Sequence, residues 1–386
     1  MIGMNYEFAE RLKNIPPYLF AEIEEKVSKK KAEGVDILDF GIGDPDLPTP
    51  KLIIDEIKKQ LDDPQNYQYS SSAGERETRV AVAEWYKTRF NVDLDPDKEV
   101  VILLGSKEGL ANFARAFANA GDKILCPDPA YPVYSLGAAL LCDAYPEYVK
   151  TYAEDGFLPQ LDTLPQDGKM LYVNFPNNPT GATAPASYLK DLLQWGEESK
   201  TIICYDNAYS EMTYDDYLAP SILEFGRNAI EFGSLSKTFN MTGYRIGYAV
   251  GDEKLIAGLK KVKSQTDSGA PKFIQKAAVT ALKTYTGPQR PAIVQECVDI
   301  YCERRDIFVD GLRELGINAQ KPKGTFYLFV DVGMNALEFA EKMLDVGIVV
   351  TPGTGYGEAG EGFVRIALTQ PKERIFEALE RMRKVL

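Results

Sequence analysis

The stretch Ala229-Ile-Glu-Phe-Gly-Ser234-Leu-Ser-Lys237-Thr-Phe-Asn-Met-Thr-Gly-Tyr-Arg245-Ile-Gly-Tyr-Ala-Val250 reads as an apolar run, a hydroxyl-rich turn and a second apolar run. Short runs of this kind, without strict alternation, suit strands covered on both faces. Others precede them at 100–104, 123–126, 171–175 and 201–205, with a helical pattern at 107–119. Strands alternating with helices predict an α/β domain whose sheet is mainly parallel and sandwiched by helices.

The remainder reads differently. A helical stretch at 272–283 is followed by a Gly287-Pro288 break and a long amphipathic segment at 293–315. Beyond it, strands are expected at 326–332 and 363–368 and helices at 336–346 and 371–385, a sparser pattern that suits a smaller α+β domain. The first 45 residues, with a helix at 18–31, are expected to pack on that domain. The division is therefore a large domain over 46–285 and a small one over 1–45 and 286–386, with a ligand cleft between them.

Composition narrows the chemistry. The chain has 386 residues, 45% of them hydrophobic, enough for more than one core. Its net charge of −13 opposes binding to nucleic acid or an anionic membrane. No apolar run approaches the ~20 residues that span a bilayer, and residues 1–11 lack the apolar core of a signal peptide, so a cytoplasmic protein is expected. Five cysteines, Cys126, Cys142, Cys204, Cys297 and Cys302, read as reduced core thiols. There is no histidine, which removes Ser-His-Asp and Cys-His catalysis and histidine-ligated metals. No metal is expected. Proton transfer falls to lysine, tyrosine or carboxylate.

Lys237 suits that task. A lysine at the mouth of a sheet, with Ser234 and Ser236 before it and Arg245 after it, is arranged to form a Schiff base beside a bound phosphate, which points to pyridoxal 5′-phosphate. Gly105-Ser106-Lys107 opens a helix whose free N–H groups suit the same phosphate; alone, Ser106 would equally be an ordinary N-cap. Asp206 ends a strand, where a carboxylate can keep a pyridine nitrogen protonated or simply cap a turn. Tyr209 is three residues on, and Asn178 lies in the polar turn Asn174-Phe-Pro-Asn-Asn178-Pro-Thr-Gly181.

With these residues in place, the chain resembles the class I and II aminotransferases of pyridoxal phosphate fold type I over essentially its whole length. The landmarks are Gly41-Ile-Gly43-Asp-Pro-Asp46, Tyr69 before Gly74, Gly105-Ser106-Lys107, Pro129-Ala-Tyr131, the 174–181 turn, Asp206 with Tyr209, Ser234 to Lys237 with Arg245, and Phe363-Val-Arg365. The resemblance implies that Lys237 tethers the cofactor and shuttles the proton, with Asp206 on the ring nitrogen and Tyr209 and Asn178 on the phenolate oxygen. Tyr131 would stack on the ring; Ser106, Lys107, Ser234, Ser236 and Arg245 would hold the phosphate. Tyr69 would reach the phosphate of a neighbouring subunit in a homodimer with shared sites. Arg365, helped by Asn178 and Gly43, would grip the α-carboxylate of an amino acid or 2-oxo acid substrate. Where some relatives carry a histidine behind the aspartate this chain has Tyr134, so another buttress for Asp206 is expected.

Tyr18-Leu-Phe-Ala-Glu-Ile, Asp267-Ser-Gly269 and Asn240-Met-Thr-Gly-Tyr-Arg245 look like the LL-diaminopimelate branch, in which Tyr18 would belong to the substrate pocket. The glutamate of well-known members is replaced by Ser72, leaving Glu75 or Glu108 as stand-ins. Lys272 is the only cation where dicarboxylate specialists place a second arginine. The alternatives are a broad alanine, aspartate or aromatic aminotransferase, and a carbon–sulfur β-lyase.

Overall fold

The structure is a computed structural model describing residues 6–16 and 19–386. Two helices, α1 (Glu10–Lys13) and α2 (Leu19–Ala32), precede a short strand, β1 (Leu38–Asp39). Helices α3 (Lys51–Leu61) and α4 (Arg76–Phe90) lead to β2 (Val100–Leu103), and α5 (Ser106–Phe117) follows it. Then come β3 (Lys123–Asp128), β4 (Tyr145–Lys150), β5 (Met170–Asn174), α6 (Ala186–Ser199) and β6 (Ile202–Asp206). The stretch from Ala229 to Val250 forms β7 (Ala229–Ser234), the turn α7 (Leu235–Thr238) and most of β8 (Gly247–Gly251).

These seven strands form one sheet in the order β2-β8-β7-β6-β5-β3-β4. Every pairing is parallel except those of β8, which runs against both β2 and β7. The middle strands β5 and β7 are buried at every position, as expected of strands with helices on both faces. Two clusters of buried side chains reflect those faces, one around Phe113, Tyr134 and Phe232, the other around Trp85, Tyr205 and Tyr248.

Helices α8 (Glu253–Lys263), α9 (Lys272–Leu282) and α10 (Ala292–Glu314) lead to β9 (Tyr327–Asp331) and α11 (Ala336–Asp345). Asp252 starts α8 by accepting the N–H groups of Lys254 and Leu255, as an N-cap aspartate should. The chain ends with β10 (Ile348–Val349), β11 (Thr351–Pro352), β12 (Phe363–Ala367) and α12 (Lys372–Met382). A three-stranded sheet orders these as β11-β12-β9, and β1 pairs with β10 in parallel. The N-terminal strand thus joins the C-terminal elements, three hundred residues away in sequence, through Leu38 opposite Ile348. Among the described residues, no helix is long and apolar enough to cross a membrane.

Candidate active site

The site forms where the strands of the large sheet end. Asn174, Asp206 and Ser234 are the last residues of β5, β6 and β7, and Gly105 follows β2. Carboxyl ends of parallel strands are where open α/β sheets leave a crevice. Because β8 is reversed, its entry, and with it Arg245, reaches the same edge. The cleft there has a volume of about 490 Å³ and is lined by Gly43, Ser106, Lys107, Tyr131, Asn178, Asp206, Tyr209, Ser234, Ser236, Lys237, Arg245 and Arg365. Of the expected site residues, Tyr69 lies outside this cleft, 86% exposed, and Tyr18 lies outside the described residues.

One end of the cleft is an anion cradle. Helix α5 begins at Ser106 with no side chain capping it, which leaves its first N–H groups open. Arg245 is held beside them by donating to Thr242 O at 2.9 Å and Leu104 O at 3.2 Å. Gly105, at φ +80°, lets the guanidinium approach, since a Cβ there would collide with Arg245 Nη2. Ser234 Oγ accepts the N–H of Ser236 at 3.2 Å, and both residues line the cleft.

At the deep side stands Asp206. Its Oδ2 accepts a hydrogen bond from Tyr134 at 2.8 Å, whereas Oδ1 is buried with no partner. Burial pushes the carboxyl up to about 6, against the stabilising bond from Tyr134 and the backbone N–H of Ala208. An orphaned buried carboxylate oxygen lining a cleft calls for a cationic or N–H donor. Tyr134 itself is the buttress, correcting the expectation that another group would be needed. Its ring stacks on Tyr172 at 5.1 Å, and burial raises its hydroxyl well above the usual range, so it remains a donor.

Lys237 Nζ donates to Gly43 O at 3.2 Å across the cleft. Tyr327 OH donates to the same carbonyl at 3.4 Å and shares a 3.2 Å contact with Tyr209 OH. Gly43 is glycine because a side chain would strike the Tyr327 ring. Arg365, buried in β12, donates to Asn178 Oδ1 at 3.0 Å and Gly41 O at 2.6 Å, while its Nε has no partner. Tyr327 and Tyr356 flank the guanidinium at 4.3 and 4.9 Å. Asn174 braces the arrangement, donating to Asp206 O and accepting the N–H of Asn178, both at 2.7 Å.

Tyr327, Tyr356 and the bracing role of Asn174 were not read from sequence. For Tyr327 the available signal was a tyrosine opening an apolar strand, whereas Tyr356 closes the glycine-rich turn Gly353-Thr-Gly-Tyr356, which carries no such signal. The stand-in carboxylates are engaged elsewhere: Glu75 accepts from Ser70 Oγ at 3.0 Å, and Glu108 meets Lys263. Among the described residues no cluster of three or more His, Cys, Asp or Glu side chains is placed to hold a metal.

A lysine amine, an orphaned carboxylate oxygen, a helix N-terminus beside Arg245 and a sandwiched guanidinium share one cleft. The family described as aminotransferase class I and II matches residues 35–382. The LL-diaminopimelate aminotransferase of Aquifex aeolicus (strain VF5) is 48% identical over 390 residues, covering 98% of this chain and 99% of that protein. Its counterpart from Desulforudis audaxviator (strain MP104C) is 46% identical over 99% of both chains. Among solved structures, the aspartate aminotransferase of Thermus thermophilus with maleate superposes with a TM-score of 0.91 at 28% identity, covering 99% of this chain and 100% of that one. The chain belongs to the class I and II aminotransferases.

Proposed function

We propose that the chain is a cytoplasmic LL-diaminopimelate aminotransferase of lysine biosynthesis. It exchanges an amino group between LL-diaminopimelate (tetrahydrodipicolinate) and 2-oxoglutarate/glutamate by a ping-pong mechanism with pyridoxal 5′-phosphate. The carrying observation is that relatives 43–48% identical over nearly the whole chain bear that name.

The residues fit the cofactor that the family implies: the orphaned Asp206 Oδ1 suits a protonated ring nitrogen, and the uncapped α5 with Arg245 suits a phosphate. When bound, pyridoxal phosphate supplies a conjugated ring that accepts the electron pair released at an α-carbon. Asp206 would keep the ring nitrogen protonated, and Tyr209 and Asn178 would donate to the phenolate oxygen. Asn178, accepting Arg365 through Oδ1, keeps its Nδ2 as that donor. Tyr131 would cover the ring face, and Ser106, Lys107, Ser234, Ser236 and Arg245 would fix the phosphate.

Arg365 would hold the substrate α-carboxylate through a planar fork, leaving the C–H bond as the one to break. Lys237 Nζ would take that proton and return it at the other end of the transferring C–N unit. Lys107 would meet the phosphate through its backbone, which leaves its Nζ, 5.6 Å from the Tyr131 ring centroid, as a cleft cation for a distal carboxylate.

The high exposure of Tyr69 supports a homodimer in which it completes the partner's phosphate site. Tyr18 is assigned to the substrate pocket by resemblance alone. The separate sheets support the partition into 46–285 and 1–45 with 286–386.

A broader donor range is the second reading, favoured by the engagement of Glu75 and Glu108 away from the cleft. The test is a panel of amino donors against 2-oxoglutarate with the cofactor-loaded enzyme. Fastest turnover with LL-diaminopimelate is expected; no reaction with it, but reaction with alanine or aspartate, moves the assignment to the broader class. Release of thiol and pyruvate from a cysteine conjugate, without conversion by any amino donor, would mark a β-lyase.

A further inference from the structure

Lys263, the last residue of α8, is fully buried, with its Nζ 2.6 Å from Asp267 Oδ2 and 3.4 Å from Glu108 Oε2. Each carboxylate has a second contact. Glu108, in the first turn of α5, accepts the N–H of Leu104 at 3.2 Å and so holds the backbone entering the anion cradle. Asp267 Oδ1 accepts the N–H of Gly269 at 2.7 Å. Gly269, at φ +83°, lies so close to the carbonyl of Ser71 that a Cβ would collide with it.

Gln275, also fully buried, closes this arc. Its Nε2 donates to Ser70 Oγ and Ala270 O, both at 2.7 Å, and its Oε1 accepts the N–H of Glu75 at 2.7 Å. A continuous set of contacts therefore joins the cradle at Gly105 to the segment that presents exposed Tyr69, and a single ammonium stands at its centre. A buried ion pair is a poor source of net stability compared with apolar packing, yet it fixes geometry because neither partner can drift without leaving a charge unpaired.

We propose that Lys263 is a positioning residue that fixes its own subunit's phosphate cradle relative to the Tyr69 segment. Through Glu108 it sets a site in cis, and through Asp267 it sets the partner's site in trans. The inference rests on the shared-site dimer proposed above.

Hybrid dimers test it. One subunit carries Lys237→Ala, leaving a single working site whose affinity for pyridoxal phosphate and whose kcat and KM are measured. Asp267→Asn in the disabled subunit is expected to weaken cofactor affinity at the working site about tenfold, the size typical of a lost bond to a charged group. Glu108→Gln is expected to act the other way round, in the working subunit only. Each of these variants leaves Lys263 paired with one carboxylate, so the fold does not depend on tolerating Lys263→Met, which is expected to act in both positions.

Tyr69→Phe in the disabled subunit is the control. If it is silent, the shared-site reading falls and this inference with it. If it weakens the working site while Asp267→Asn in the same subunit does not, the inference alone is overturned. A loss confined to the subunit that carries Asp267→Asn overturns it equally, because a merely local structural role acts in cis.

Discussion

Tyr134 donates its hydroxyl proton to Asp206 Oδ2 at 2.8 Å while its ring is stacked on Tyr172, whose own hydroxyl donates to Leu110 O at 2.9 Å. Two buried tyrosines therefore hold one carboxylate oxygen and leave the other facing the cleft. Tyr134→Phe keeps the stacking and removes the donor, so Oδ2 joins Oδ1 in lacking a side-chain partner and the carboxyl rises further. A bond to a charged group is worth about 1.5–3 kcal/mol, so kcat is expected to fall roughly 10- to 100-fold with little change in KM. The acid limb of the kcat–pH profile should move to higher pH; an unchanged limb would separate Tyr134 from the electronics of Asp206.

Asp206 also leaves a signature in the stability of the cofactor-free protein. Its folded carboxyl is raised to about 6 from 3.8, so between those values the native state binds the extra proton and stability falls as pH rises. The cost is fully present above about pH 6 and absent below about pH 4, with a magnitude of roughly 3 kcal/mol. Asp206→Asn should remove this component, making the variant more stable than the parent at pH 7.5 but not at pH 4. Urea midpoints at the two pH values measure it, and equal differences at both would contradict it.

Arg365→Leu removes the fork between Tyr327 and Tyr356. Because the guanidinium would bind and orient the carboxylate together, KM should rise and kcat fall, with kcat/KM lower by about 10²- to 10⁴-fold. Steady-state kinetics with the preferred donor decides the matter; a change in KM alone would mean that orientation is set elsewhere.

Gly105→Ala places a methyl group against Arg245 Nη2 at a positive φ that alanine resists. The cradle should open, weakening cofactor affinity at least tenfold, while Lys237 and Asp206 are untouched. Titration of the cofactor-free variant with pyridoxal phosphate reads this directly, and wild-type affinity would show that Arg245 is not needed at its present position.

Much of this architecture was legible because buried strands announce themselves. The runs that became β2, β5, β6, β7 and β12 lie within a residue or two of their observed bounds, and the site residues stand at their ends. β4 was not legible: Tyr145-Pro-Glu-Tyr-Val-Lys150 is an edge strand, half exposed and polar, with no apolar run to mark it. Helices α3, α6 and α8 were also passed over although their buried residues recur at helical spacing, Ile53 with Ile57, Leu189 with Leu192 and Leu193, and Ile256 with Leu259, while α4 buries Thr78 and Arg89 among its apolar residues and so blurs its own pattern. The reversed direction of β8 leaves no local trace. Contacts such as Tyr134 with Asp206, or Lys263 with Glu108, join residues 72 and 155 positions apart. Only the closed sheet brings them within reach.

The reversed strand has one more consequence. Half of the anion cradle is made near residue 105 and the other half near 245, and they meet only when β8 has slotted between β2 and β7 with Leu103 opposite Gly247 and Ser234 opposite that same glycine. A partly assembled chain, or one paired a residue out of step, has nowhere to grasp a phosphate. On the proposed reading, cofactor capture would be a check on completed assembly, drawing molecules toward the one register in which the handhold exists.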